Sequence, residues 1–174
     1  MIGGQHSELV LAIQPFTRGY AFALFEGPLS PIDWGIKEVR GGNRNARCLA
    51  AAETLIARTR PDVLVLEDYT GSFARRSRRI KRLQSLITNH AAGQSIDVRH
   101  YPRERIRDCF KGVGAVTRYE IAQAIAAQVQ AFENRLPPLR KLWEPEDPRM
   151  ALFDAASLVM THYSLPRSQS SDDA

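Results

Sequence analysis

With 174 residues and 44% hydrophobic content, the chain is long enough to bury one core and too short to expect two. A formal charge of +5 favours polyanionic partners, nucleic acid first among them. No apolar run approaches the ~20 residues that span a bilayer, and Met1 to His6 has neither the cationic start nor the apolar core of a signal peptide, so a cytoplasmic protein without membrane contact is expected. Cys48 and Cys109 lie outside any CxxC or Cys/His spacing and read as reduced thiols in packed helices.

After a flexible start over residues 1–7, Glu8 to Ile13 reads as a short central strand, apolar on both faces. Tyr20 to Phe25 and Ile32 to Val39 follow as strands, joined by the glycine and prolines of Glu26 to Pro31, which predicts an antiparallel meander. Gly41-Gly42 ends it. Leu49, Ala52, Leu55 and Ile56 then recur at helical spacing over Asn45 to Arg60, and Pro61 closes that helix. Val63 to Glu67 is a fourth strand reached through a helical crossover, hence parallel to a neighbour. A helix near Arg79 to Ala92 and a fifth strand at Asp97 to Tyr101 come next. Pro102-Arg103 opens a short helix that ends before Gly112. Thr117-Arg118-Tyr119-Glu120 is a capping-box pattern, followed by a stripe of Ile121, Ala124, Ile125 and Val129 in one helix that ends at Leu136-Pro137-Pro138. Asp147-Pro148 looks like a cap before a last helix from Arg149 to His162, and residues 164–174 read as a disordered tail. The expected class is α/β, with a mixed five-stranded sheet (three antiparallel strands, then two parallel) flanked by helices in a single domain over residues 8–163.

Two carboxylates stand where burial makes them costly. Glu67 ends the run Val63-Leu64-Val65-Leu66, and Asp154 is the one ionisable residue from Met150 to Thr161, on a helix apolar around nearly its whole circumference. Parallel pairing of the first and fourth strands would bring Gln14 beside Glu67 at the carboxyl edge of the sheet, where ligands of α/β folds bind. A cation would remove the cost of the unpaired acids. Converging carboxylates without histidine or cysteine favour magnesium or manganese, which clamp both oxygens of a phosphodiester undergoing displacement. Other readings stand beside this one: Glu67 caps a helix or pairs with an arginine, Asp154 pairs with one of the many arginines, and Gln14 is an ordinary strand residue.

The apolar first strand, the Gly-Tyr-containing second strand, the run ending in Glu67, Phe153-Asp154-Ala155-Ala156-Ser157-Leu158 with Thr161-His162, and Ile96 to Arg103 together resemble the RuvC branch of the RNase H-like nucleases, which resolve DNA four-way junctions. The likeness spans most of residues 8 to 163. It implies an RNase H-like domain, a symmetric dimer, a place in recombination and repair, and hydrolysis of branched DNA by a water activated between two magnesium ions held by four acids. Glu67 and Asp154 match two of those acids. Gln14 and Ala151 stand at the other two, and the loop from Gln14 to Gly19 looks short. Gln14 would be a weak neutral ligand, and Asp147, one helical face away from Ala151 and Asp154, is a candidate substitute whose capping role competes. Two readings follow: a RuvC-like metal-dependent endonuclease with Glu67, Asp154 and Gln14 at its centre, or a protein that recognises branched or distorted DNA without cutting it. A fold relative that handles RNA is a third.

Arg75, Arg76, Arg78, Arg79, Lys81 and Arg82 make six cations in eight residues, and no acid lies between Asp68 and Asp97. Such a field draws phosphates toward Glu67 and weakens steeply with salt; a solvated helix face is the bland alternative. Tyr69 and Phe73 are candidates for stacking on bases at a branch point, with loop packing as the competing role. Arg103 extends the expected phosphate track.

Overall fold

The computed structural model describes residues 7–71 and 76–166. Five strands form one sheet in the order β3-β2-β1-β4-β5. They are β1 (Leu9–Phe16), β2 (Gly19–Glu26), β3 (Pro31–Glu38), β4 (Val63–Glu67) and β5 (Asp97–Tyr101). The first three pair antiparallel, and β1-β4 and β4-β5 pair parallel, as the strand order predicts. Their partners are α1 (Arg44–Thr59), α2 (Arg78–Gly93), α3 (Arg103–Phe110), α4 (Arg118–Gln128) and α5 (Arg149–Ser164). Among the described residues no helix is long and apolar enough to cross a membrane.

Side-chain alternation sorts the core into two layers. Leu11, Ile13, Leu64 and Leu66 pack under α1 and α2 with Cys48, Leu55, Leu83 and Ile87. Val10, Ala12, Val63 and Val65 face the other way, onto Phe153, Ala156 and Val159 of α5 and the residues of α3 and α4 around it. Residues 14 and 67 continue this second parity, so strand geometry alone turns Gln14 and Glu67 toward α5. That helix is buried without interruption from Met150 to Thr161.

Two expectations change. Strand β1 continues to Phe16 and turns through Thr17-Arg18 alone, so Gln14 sits inside a strand and the short loop is a two-residue hairpin turn. Only glycine fits after it: a Cβ at Gly19 would lie 1.8 Å from the carbonyl oxygen of Lys37. The long helix expected after Thr117 stops at Gln128, and an extended Val129 leads into a 3-10 segment, Gln130–Arg135. This break buries Phe132 completely, with ring centroids 5.2 Å from Trp34, 6.1 Å from Phe25 and 6.0 Å from Phe153. Burial of that ring outweighs a few more helical hydrogen bonds.

Candidate functional site

Gln14, Glu67 and Asp154 do converge. All three are buried, at 1%, 6% and 5% exposure. The Gln14 amide donates to Glu67 Oε2 at 3.0 Å and to the Tyr69 hydroxyl oxygen at 3.1 Å. Both N–H groups are thereby used, and Gln14 Oε1 is left buried without a partner. The opposite amide orientation would set oxygen against carboxylate, so the site itself selects this one.

Two helix starts deliver cations to the acids. Glu67 pairs with Tyr101 across the β4-β5 ladder, Pro102 caps α3, and Arg103 is its first residue, which places the guanidinium beside the end of β4. Arg103 Nε lies 3.3 Å from Glu67 Oε1 and Nη1 lies 3.7 Å from Asp154 Oδ1. Burial works against its charge, but Asp154 and Glu67 more than compensate, and its pKa lies above the ordinary arginine value. The expected capping box is present at α4: Thr117 accepts from the Glu120 amide at 3.2 Å, and Glu120 returns a bond to the Thr117 amide at 3.1 Å. This fixes Arg118 as the first helical residue. Its Nε donates to Asp154 Oδ1 at 2.9 Å and Oδ2 at 3.1 Å, while Nη1 reaches Glu146. Arg76 approaches Glu67 Oε2 at 4.0 Å and lies over the Tyr69 ring at 5.6 Å. Three acids, Glu67, Asp154 and Glu146, thus meet three guanidinium groups, Arg76, Arg103 and Arg118.

Other expected site residues are placed differently. Tyr69 is 7% exposed and its hydroxyl belongs to the polar cluster, so its ring has no free face for a base. Burial, with Glu67 nearby, pushes its pKa up, against the opposing influence of Arg76 and the Gln14 hydrogen bond. Arg103 faces carboxylates rather than a phosphate track. Arg79 bonds the Asn45 side chain at 3.1 Å and the Thr17 carbonyl at 2.7 Å, tying α2 to α1 and to the hairpin turn. Asp147 accepts from the Arg149 amide at 2.9 Å and pairs with that guanidinium, which holds its carboxyl below the ordinary range. Its role is thus a local one at the start of α5, where Pro148 occupies the cap position. Arg78, Lys81 and Arg82 are exposed, and among the described residues they form no ion pair. Phe73 and Arg75 lie outside the described residues. Sequence reasoning missed Arg118 and Glu146; the capping box marked where Arg118 stands but not what it faces.

These residues do not suit a pair of divalent cations. Gln14 presents its NH2 to Glu67, and Ala151, buried against Ala21 and Leu152, offers no donor. Both remaining carboxylates already hold guanidinium groups. A dication ~5 Å from one guanidinium is opposed by roughly 7 kcal/mol at an effective dielectric of ~20, and three of them surround the acids. Among the described residues no group of three or more His, Cys, Asp or Glu side chains is arranged to hold a metal ion. A cavity of about 310 Å³ opens over the cluster, lined by Gln14, Arg18, Arg76, Arg118, Ala151 and Asp154 among others.

No family model and no curated protein matches the sequence. Solved structures do resemble the fold. RuvC of Thermus thermophilus superposes with a TM-score of 0.64 at 16% identity, covering 88% of this chain and 92% of that one. The same protein in complex with a Holliday junction substrate gives 0.64 and 16% over 89% and 92%. The yeast mitochondrial Holliday junction resolvase Ydc2 gives 0.62 at 11% identity over 90% and 78%. The chain has the RuvC-like form of the RNase H-like fold.

Proposed function

We propose that this protein binds branched DNA through a resolvase-like fold and does not cut it by a two-metal route. One observation carries the reading: Arg103 spans Glu67 and Asp154, the two acids that the resemblance assigns to metal, while Arg118 clamps Asp154 from the other side. The fold is that of proteins solved as Holliday junction resolvases, one of them with its junction, and this supports DNA of that shape as the ligand. The exposed cations Arg78, Lys81 and Arg82 at the start of α2 supply sequence-independent attraction to its backbone.

The test is a labelled four-way junction incubated with the protein in EDTA, magnesium or manganese. The expected result is junction binding that needs no metal, tighter than to a matched linear duplex, with no cleavage in any of the three. Metal-dependent strand scission would overturn the non-cutting reading. Equal affinity for junction and duplex would remove the preference for branches, and a matched RNA junction bound more tightly would reassign the ligand.

A further inference from the structure

The segment between the 3-10 turn and α5 carries the most exposed large apolar side chains among the described residues: Leu142 is 95% exposed, Trp143 78% and Leu139 69%. Single exposed apolar residues are ordinary, but three within five positions form a patch. The chain here is braced rather than loose. The Lys141 amide donates to the Glu144 carboxylate, the Glu144 amide donates to the Lys141 carbonyl, and Arg140 donates to the Glu144 carbonyl, each at 3.1 Å. Pro137, Pro138, Pro145 and Pro148 restrict the flanks, and Tyr119 bonds the Pro137 carbonyl at 2.8 Å. The backbone beneath the indole is thus largely ordered already, so binding has mainly the side chain left to order.

Charge and position say what covers it. From Arg135 to Lys141 there are three cations and no acid. The Lys141 ammonium lies 5.5 Å above the Trp143 ring. Three residues beyond the indole, Glu146 bonds Arg118, the partner of Asp154, so the patch adjoins the carboxylate–guanidinium cluster. Tryptophan and arginine suit protein interfaces as well, but lysine is depleted there, and a run of cations without an acid beside an aromatic face suits unstacked bases and their phosphates. We propose that Trp143 is a stacking platform for an unpaired base at a DNA branch, with Arg140 and Lys141 meeting the adjoining phosphates. This rests on the DNA-binding reading above and adds the contact that senses the branch.

The test compares the full chain with Trp143→Ala and Trp143→Phe by fluorescence anisotropy. The probes are a labelled four-way junction carrying two unpaired nucleotides at its centre and a linear duplex of the same arms. Trp143→Ala should weaken junction binding by roughly five- to a hundredfold and change duplex binding less than twofold. Trp143→Phe should retain most of the affinity, and indole emission should be quenched when the wild type meets the junction. Because the side chain is exposed, the melting temperature should not move. Junction binding by Trp143→Ala equal to wild type, or an equal loss on both DNAs, overturns the platform alone. So does intact junction binding with a changed mass in solution, which assigns the patch to a second copy of the chain. Wild-type protein that binds neither probe overturns the broader reading and the platform with it.

Discussion

Replacing Arg103 by alanine removes the cation shared by two buried acids. Asp154 keeps the Nε and Nη2 bonds of Arg118, but Glu67 is left with the Gln14 amide and with Arg76 at 4.0 Å, so the loss falls mainly on Glu67. Breaking a buried ion pair from one side costs ~3–5 kcal/mol. The partners that remain reduce this to roughly 2–3 kcal/mol, which for a domain of this size lowers the melting temperature by about 5–10 °C. Urea and thermal unfolding read the loss directly. Because Arg118 still holds Asp154, this variant should remain as indifferent to manganese as the wild type, whereas Arg103→Ala with Arg118→Ala should gain melting temperature in millimolar manganese, since a cation that binds only the folded state adds stability as RT ln(1 + [L]/Kd). A loss below ~1 kcal/mol for Arg103→Ala, with manganese responses alike in the double variant and the wild type, would refute the claim that these arginines hold the acids in place of a metal.

Gln14→Glu sets a carboxylate about 3 Å from Glu67 Oε2, where the amide now donates. The pair takes up a proton more readily when folded than when unfolded, so the variant should be destabilised at pH 8 by about 2 kcal/mol and recover as pH falls toward 5, as read by urea titrations across that range. Burial, with Cys48 adding and Arg58 opposing, pushes the Tyr20 hydroxyl up to about 12 from 10.0. The folded chain therefore keeps a proton that the unfolded chain releases, and stability should fall by roughly 1–2 kcal/mol as pH rises from 10 to 12, after allowance for solvent screening. Tyr20→Phe should flatten that slope in alkaline unfolding curves. Removing the exposed cations together, as Arg78→Ala with Arg82→Ala, should weaken DNA binding and reduce the slope of log K against log salt by about 2.

Much of the fold was legible because its signals are local. Val63–Glu67 and Asp97–Tyr101 match their predicted bounds, since Asp62 and Asp68 flank the first run and Pro102 ends the second. Thr117 and Glu120 announced their helix start for a similar reason. The meeting of Gln14, Glu67 and Asp154 was also legible, because strand parity and a fully buried helix leave them few other places to point. The partners of the acids were not. With 24 lysines and arginines in the chain, nothing local distinguishes Arg103 and Arg118 from the rest. Their roles depend on where β5 and the capping box set two helix starts relative to α5. Asp154 pairs with Arg103 and Arg118, and its sequence context alone leaves that pairing open beside metal binding. The break after Gln128 was hidden as well, because it answers to Phe132 filling a distant gap between Trp34 and Phe153.

Two buried acids, an exposed third and three guanidinium groups that balance one another make a site hard to reach or leave by single substitutions. Removing one arginine strands an acid, and adding one acid at Gln14 or Ala151 strands the newcomer, so each intermediate sequence is less stable than its neighbours. Exchange between this arrangement and a metal-binding one would take several coordinated changes, in either direction. The cluster therefore resists drift both toward and away from itself.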